Sequence, residues 1–166
     1  MLASACFDIR TDSDFNNHAL SVFAFQVKNV AVYREYLEAL NFDVDSVHHY
    51  SQIPFLPVSF FKTRSVIADG FHSQINFTSS GTTGMITSTH PVADVKLYEQ
   101  SFNRAFELFY GPVHNYCVIA LLPAYLEREG SSLVYMADHL IKHSKHPQSG
   151  FYLNQYHELA NLLNEL

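Results

Sequence analysis

Apolar residues recur roughly every three to five positions in several segments of the chain, the spacing of helices that bury one face. Residues 14–40 predict two successive helices, with Asp14 as candidate N-cap of the first, and we assign no chemistry to this helical layer. Three more helices are predicted: one from Pro91 to the residue before Gly111, one over residues 133–141, and one that follows an Asn154 cap and runs to the last residue.

Shorter apolar runs between these helices predict strands. Residues 66–78 predict a strand, a turn at Asp69-Gly70 and a second strand. The continuous apolar run over residues 116–122 is typical of a buried parallel strand, and residues 150–153 predict a further short strand. Cys117 lies inside the longer run, which indicates a thiol of the core rather than a nucleophile.

The order of the predicted elements indicates an α/β fold. N-terminal helices come first, a β-hairpin that carries a loop over residues 78–84 follows, and helices then alternate with strands. The length fits a single domain over residues 1–166, with a helical lead-in over residues 1–50 and an α/β part over residues 51–166.

A stiff segment precedes the predicted hairpin. Pro54 and Pro57 each fix φ and remove a backbone donor, which favours an extended chain. We expect Phe55, Phe60 and Phe61 to pack from this segment into the core. The alternative is a rigid partition beside the loop that follows.

The loop itself, residues 78–84, is made of small residues with hydroxyl groups and two glycines, and we call it the hydroxyl-rich segment. Phosphate groups are bound by concave runs of backbone N–H groups, by hydroxyl donors and by glycines that let the chain approach. The predicted phosphate-binding residues are Ser79, Ser80, Gly81, Thr82, Thr83 and Gly84. No lysine follows Gly84, so the segment is not a Walker A loop. An ordinary Ser/Gly/Thr turn between two strands is the alternative.

Composition narrows the classes of partner. The formal net charge of −6 gives no electrostatic reason to expect nucleic acid or an anionic membrane surface. No apolar run approaches the ~18 residues of a membrane span, and the N-terminus lacks a signal segment. Two cysteines, Cys6 and Cys117, are too few for a disulfide framework or a zinc cluster, which favours a cytoplasmic location.

Histidines give no complete metal site. His48 and His49 are adjacent and therefore point in different directions. His139 and His143 share one helix face, with His146 nearby, but no carboxylate or cysteine completes the set at helical spacing. We therefore predict no metal site.

A charged loop follows the predicted strand over residues 116–122. Ligands of open α/β sheets collect at the carboxyl ends of strands. The candidate contact residues are Glu127, Arg128, Glu129, Ser131 and Ser132. A solvated charge cluster is the alternative.

Several stretches occur together in a recognisable order: residues 53–62, the Ser79–Gly84 loop, and residues 106–111, 121–128 and 131–136. In this order they resemble the N-terminal half of the bacterial acyl-protein synthetases (LuxE-like), a branch of the adenylate-forming ligase superfamily. The similarity runs from about residue 50 to the end of the chain. It implies that the chain is part of the large N-terminal domain of such an enzyme.

The resemblance also implies an activity. These enzymes use ATP and Mg²⁺ to convert a fatty acid into acyl-AMP and then transfer the acyl group to a thiol, on a protein or on coenzyme A. Ser79 to Gly84 would hold the ATP phosphates, and no catalytic residue is assigned.

The chain also departs from the family pattern. The Pro-Lys pair that closely follows the second glycine in many such enzymes is missing, and the candidates to replace the lysine are Thr87, Ser88, Thr89 and His90. The adenine pocket, the ribose-binding aspartate, the acyl-accepting cysteine and the C-terminal domain of the family lie downstream of the matched half. We therefore expect the chain alone to be inactive or to need a second chain, which could be a second copy.

Two other functions stay open from the sequence. One is a non-catalytic binding or assembly module derived from the same fold. The other is part of an acyl- or aryl-CoA ligase. The sequence does not indicate which acid is activated or which thiol accepts the acyl group.

Overall fold

The structure, a computed structural model, describes residues 4–79, 87–122 and 130–165. Within these residues helices dominate, and the strands form two small sheets of two strands each. The predicted mixture of helices and strands is confirmed at this coarse level. None of the described helices is long and apolar enough to cross a membrane.

The regular elements have the following bounds. The helices are α1 (Asp12–Asn29), α2 (Ala31–Ala39), α3 (Phe60–Thr63), α4 (Val95–Tyr110), α5 (Ser132–Ser144) and α6 (Tyr156–Glu165). The strands are β1 (Ile75–Thr78), β2 (Thr89–Val92), β3 (Ile119–Ala120) and β4 (Gly150–Phe151). Short 3-10 turns lie at Ser4–Asp8, Val44–Ser46, Tyr50–Gln52 and Val113–Asn115.

The chain forms two compact units. The first comprises Met1–Asn76 and Gly81–Leu97, and the second comprises Phe77–Ser80 and Tyr98–Leu166. Each unit has buried apolar residues of its own.

The first unit is built on the pair α1 and α2, as predicted for residues 14–40. Thr11, not Asp14, is the N-cap of α1: the Thr11 hydroxyl accepts from the Asp14 N–H at 3.1 Å, and the Asp14 carboxylate accepts from the Thr11 N–H at 3.0 Å. This reciprocal capping box satisfies two backbone donors at once. Phe23, Val30, Tyr33 and Leu37 form the buried cluster between the helices.

The sequence prediction for residues 66–78 is correct only in part. The turn at Asp69-Gly70 forms, with Gly70 at φ +79°, and β1 covers the end of the range. No strand forms over residues 66–68. Instead Val66 and Ala68 pack against the helical cluster, and the Asp69 N–H donates to the Asn29 carbonyl.

The prediction that Pro91 begins a helix is wrong, because Pro91 lies in β2, which pairs with β1. A proline is tolerated in a two-stranded sheet, where each strand has an unpaired edge. α4 begins at Val95, and the Asp94 carboxylate accepts from the N–H groups of Lys96 and Leu97 at 3.0 and 3.3 Å.

In the second unit β3 and β4 pair in parallel, with Ile119 opposite Gly150 and Ala120 opposite Phe151. β3 is therefore a parallel strand, as the apolar run over residues 116–122 predicted. β3 is shorter than the predicted strand over residues 116–122, because the Val118 N–H donates to the Ser149 hydroxyl at 2.9 Å and Leu121 is 55% exposed.

Candidate functional site

Most of the hydroxyl-rich segment lies outside the described residues. Ser80, Gly81, Thr82, Thr83 and Gly84 belong to that part, whereas Thr78 and Ser79 are described. β1 leads into the segment, β2 follows it, and the two strands pair with each other.

The start of the segment lies beside the N-terminal end of α5. The Thr78 N–H donates to the carbonyl of Gly130 at 2.8 Å, and Gly130 precedes α5 by two residues. The Ser131 hydroxyl caps this helix by accepting from the Val134 N–H at 3.4 Å. A helix N-terminus carries partial positive charge and spare N–H donors, which favour an anion.

Two of the residues predicted to replace the missing lysine of the family pattern contact each other. The Ser88 hydroxyl lies 3.1 Å from Nε2 of His90, and Ser88 is buried. The His90 ring stacks on Phe61, with 4.6 Å between ring centroids and an angle of 19° between planes. Stacking on Phe61 and the contact with Ser88 therefore hold the imidazole in one orientation.

The first unit contains an apolar cavity of about 640 Å³, which sequence reasoning missed. Its lining comes from α1, from the segment that contains Pro54, from residues 66–68, and from Pro91 and Ala93. None of the described residues that line it is charged, and among them Gln26, Tyr33 and Tyr50 bring polar side-chain atoms. Cavities of this size and character are typical of sites for small organic ligands.

The segment from Tyr50 to Leu56 forms the outer wall of the cavity, and hydrogen bonds hold it in place. The Tyr50 N–H donates to the Asn16 side chain at 2.9 Å, and the Tyr33 hydroxyl donates to the Pro54 carbonyl at 2.7 Å. Burial, with a smaller contribution from Tyr36, raises the pKa of Tyr33 to about 12, so its phenol stays neutral and can donate this bond. The wall is thus attached to both α1 and α2.

The cavity has a floor of buried residues and a rim of exposed ones. The floor residues Phe23, Val30 and Tyr33 are buried, with Val30 only 3% exposed. The rim residues are Phe15, Tyr50 and Phe55, which are 46%, 38% and 78% exposed. The expectation that Phe55 packs into the core is therefore wrong: the prolines keep the segment extended, and Phe55 lies at the mouth of the apolar cavity.

A polar cluster lies in the second unit around His139. Its Nε2 is 3.0 Å from the Asn103 amide nitrogen, and its Nδ1 is 3.8 Å from a Glu99 carboxylate oxygen. The Tyr135 hydroxyl donates to the same carboxylate oxygen at 2.6 Å. Burial and the neighbouring His143 lower the pKa of His139, and Glu99 acts in the opposite direction.

The histidines on α5 and just after it make their hydrogen bonds within their own segment of the chain. Nδ1 of His143 lies 2.7 Å from the His139 carbonyl, and the two rings stack at 4.0 Å. His146 Nδ1 accepts from the Gln148 N–H at 3.3 Å. Among residues 4–79, 87–122 and 130–165, no group of three or more His, Cys, Asp or Glu side chains is arranged to hold a metal ion.

The remaining candidates have structural contacts or lie outside the described residues. Ser131 caps α5, and the Ser132 carbonyl accepts from the Tyr98 hydroxyl at 3.1 Å. Glu127, Arg128 and Glu129 lie in the part of the chain that is not described. Cys6 is exposed and Cys117 is half-buried.

Comparison of the chain with protein-family models, with curated proteins and with solved structures gives no match.

Proposed function

We propose that the chain takes part in the ATP-dependent activation of a carboxylic acid as acyl-AMP. In this reaction a carboxylate oxygen forms a bond to the α-phosphorus of ATP, and the bond from that phosphorus to pyrophosphate breaks. A thiol then attacks the acyl carbonyl, and AMP leaves. Mg²⁺ would accompany ATP and neutralise phosphate charge.

The observation that carries the proposal is where the hydroxyl-rich segment begins in the structure. Its sequence supplies hydroxyls and glycines, and its first residue, Thr78, is bonded to the chain just before the N-terminus of α5. These two features independently favour a phosphate group. The backbone and hydroxyls of Ser79 to Gly84 would position the phosphates, and positioning is the main protein contribution in this class of reaction.

The test is calorimetric titration with Mg-ATP. Wild-type chain is compared with a Ser80→Ala, Thr82→Ala double variant. The matched control is a Thr63→Ala, Ser65→Ala double variant, which removes the same two hydroxyl types from exposed positions elsewhere. We expect the heat of binding to be lost in the first variant and kept in the control.

Equal heats in all three proteins would contradict the proposal and favour a non-catalytic module in which the segment binds nothing. No heat at millimolar nucleotide would contradict it as well. Pyrophosphate release in the same samples, with a fatty acid added, tests the separate prediction that a second chain is needed. Release at an ordinary enzymic rate by the chain alone would make that prediction wrong.

A further inference from the structure

We propose that the apolar cavity of the first unit binds an uncharged aromatic compound that carries a hydroxyl group. The ring system of the compound packs among the aromatic side chains of the lining, and its hydroxyl group bonds to the side-chain amide of Gln26. This binding requires neither ATP nor the hydroxyl-rich segment, so it goes beyond the proposed function and does not rest on it.

Aromatic side chains contribute six rings to the described part of the lining: Phe15, Phe23, Tyr33, Tyr50, Phe55 and Phe61. Phe15 and Tyr50 meet edge to face at the rim, with ring centroids 5.0 Å apart and an angle of 81° between planes. Phe23 and Tyr33 meet in the same way at the floor, at 6.2 Å and 84°. A flat ring placed among them meets ring edges and ring faces, and such contacts stabilise aromatic pairs beyond the burial of apolar area alone.

The rings are held in place without a ligand. The Tyr50 N–H donates to the Asn16 side chain, and the Tyr33 hydroxyl donates to the Pro54 carbonyl. A preformed site loses less free energy on binding than one that must be ordered. The cavity volume of about 640 Å³ lies within the range of about 300–1,000 Å³ that is typical of sites for small organic molecules.

The surroundings of the cavity disfavour an ionised ligand. None of the described lining residues is charged. Arg34 follows the lining residue Tyr33, but its guanidinium is paired with Asp69 at 3.1 Å. Lys62 follows Phe61, is exposed and is not part of the lining. A carboxylate or an ammonium group inside the cavity would therefore lose its hydration without a counter-ion.

Gln26 offers a hydrogen-bonding group inside the cavity. It follows Phe23 by three residues and precedes Val30 by four, which places it on the same face of α1 as these two buried residues. Among residues 4–79, 87–122 and 130–165 its side-chain amide has no hydrogen-bond partner, whereas the Tyr33 hydroxyl is already bonded. The amide can both donate and accept, as a hydroxyl group can. A phenolic hydroxyl, with a pKa of about 10, is neutral at neutral pH.

The experiment follows the fluorescence of N-phenyl-1-naphthylamine, an uncharged aromatic probe, on binding to the full chain at neutral pH without nucleotide. The competitors that displace it are 2-naphthol, naphthalene, 2-decalol and 2-naphthoate. We expect 2-decalol, the saturated analogue of 2-naphthol, to bind at least about threefold more weakly than 2-naphthol. The charged 2-naphthoate should bind at least about tenfold more weakly.

The decisive variant is Gln26→Leu, which removes the amide and keeps a side chain of similar size. We expect 2-naphthol to lose about fivefold in affinity, whereas naphthalene, which has no hydroxyl group, should not bind more weakly. Gln100→Leu makes the same substitution at a half-buried helix position of the second unit and should change neither. Equal losses for 2-naphthol and naphthalene in Gln26→Leu would contradict the role of the amide.

A rim variant covers the case in which Gln26→Leu does not fold. Phe55→Leu removes a ring that is 78% exposed and keeps an apolar side chain, so 2-naphthol should lose about threefold in affinity and 2-decalol should not. Phe71→Leu, also exposed and not part of the lining, should affect neither compound. Equal effects of the two substitutions would contradict binding at this rim.

A third pair of variants locates the bound compound. Ala19 lines the cavity from α1, so Ala19→Leu takes up part of the space and should weaken 2-naphthol and naphthalene alike. Ala24→Leu, on the exposed side of the same helix, should weaken neither. The proposal is overturned if the probe shows no saturable binding, if 2-naphthoate binds as tightly as 2-naphthol, or if Ala24→Leu acts as strongly as Ala19→Leu. The titration with Mg-ATP is independent of each of these outcomes.

Discussion

At the scale of single residues, His139 lies in surroundings that favour its neutral form. Its Nε2 accepts from the Asn103 amide, which an imidazolium nitrogen cannot do. His143 and Lys142 also disfavour its positive charge, whereas Glu99 and Asp138 favour it. Burial is the largest effect, and the pKa lies below the ordinary value of 6.5.

This lowered pKa predicts a loss of stability in acid. Below pH 6.5 the unfolded chain takes up a proton at this site that the folded chain does not, until the pH reaches the folded pKa. The free energy of unfolding should therefore fall as pH decreases through this window, by an amount that corresponds to at most one proton. His139→Gln, measured by urea unfolding at several pH values, should flatten the dependence.

A His72→Gln variant controls for the loss of an exposed histidine in the other unit. An unchanged pH dependence in His139→Gln would show that another group is responsible.

Only part of the polar cluster around His139 could be predicted from the sequence. The spacing of His139 and His143 on one helix is visible in the sequence and is confirmed by their stacked rings. Their polar neighbours Glu99 and Asn103 come from α4, and no local pattern indicates which residues of a distant helix will face them. The hydrogen-bond partners of His139, which the spacing of the two histidines does not indicate, determine what its ring can do.

At the scale of elements, the N-terminal cap of α1 gives a prediction for stability. The Thr11 hydroxyl accepts from the Asp14 N–H and is one half of the reciprocal capping box. Thr11→Ala should lower the free energy of unfolding by about 1 kcal/mol, measured by urea unfolding. Thr11→Ser keeps the acceptor and should stay close to wild type; an Ala variant as stable as the Ser variant would contradict the role of the cap.

Local patterns predicted the helices better than the strands. Gly111 ends α4 at φ +84°, as its position in the sequence indicates, because the signal is local. The prediction that Pro91 begins a helix was wrong because it relied on proline being common in the first turn of a helix. What places it in β2 is pairing with β1, a contact between segments that lie apart in the chain.

The apolar cavity was missed for a related reason. The apolar residues of α1 predicted a helix with one buried face, and this is correct. The same pattern arises whether the face packs against a full core or lines a space. Only the tertiary arrangement of α1 and the segment around Pro54 distinguishes the two.

At the scale of the whole molecule, the cavity lies entirely within the first of the two units. A ligand that binds only the native first unit suppresses opening of the elements that hold it, and it does not act directly on elements elsewhere. An apolar compound that fills the cavity should therefore slow hydrogen exchange in α1 and in the wall around Pro54.

With such a compound at about ten times its Kd, exchange that proceeds through opening of the site should slow by about tenfold. Amides of α5 and α6, which belong to the second unit, should exchange at their original rates. In Ala19→Leu, in which a larger side chain takes up part of the cavity, this protection should weaken. Equal protection in both units would mean that the compound binds elsewhere or that the two units open together, and the cavity would then not account for the protection.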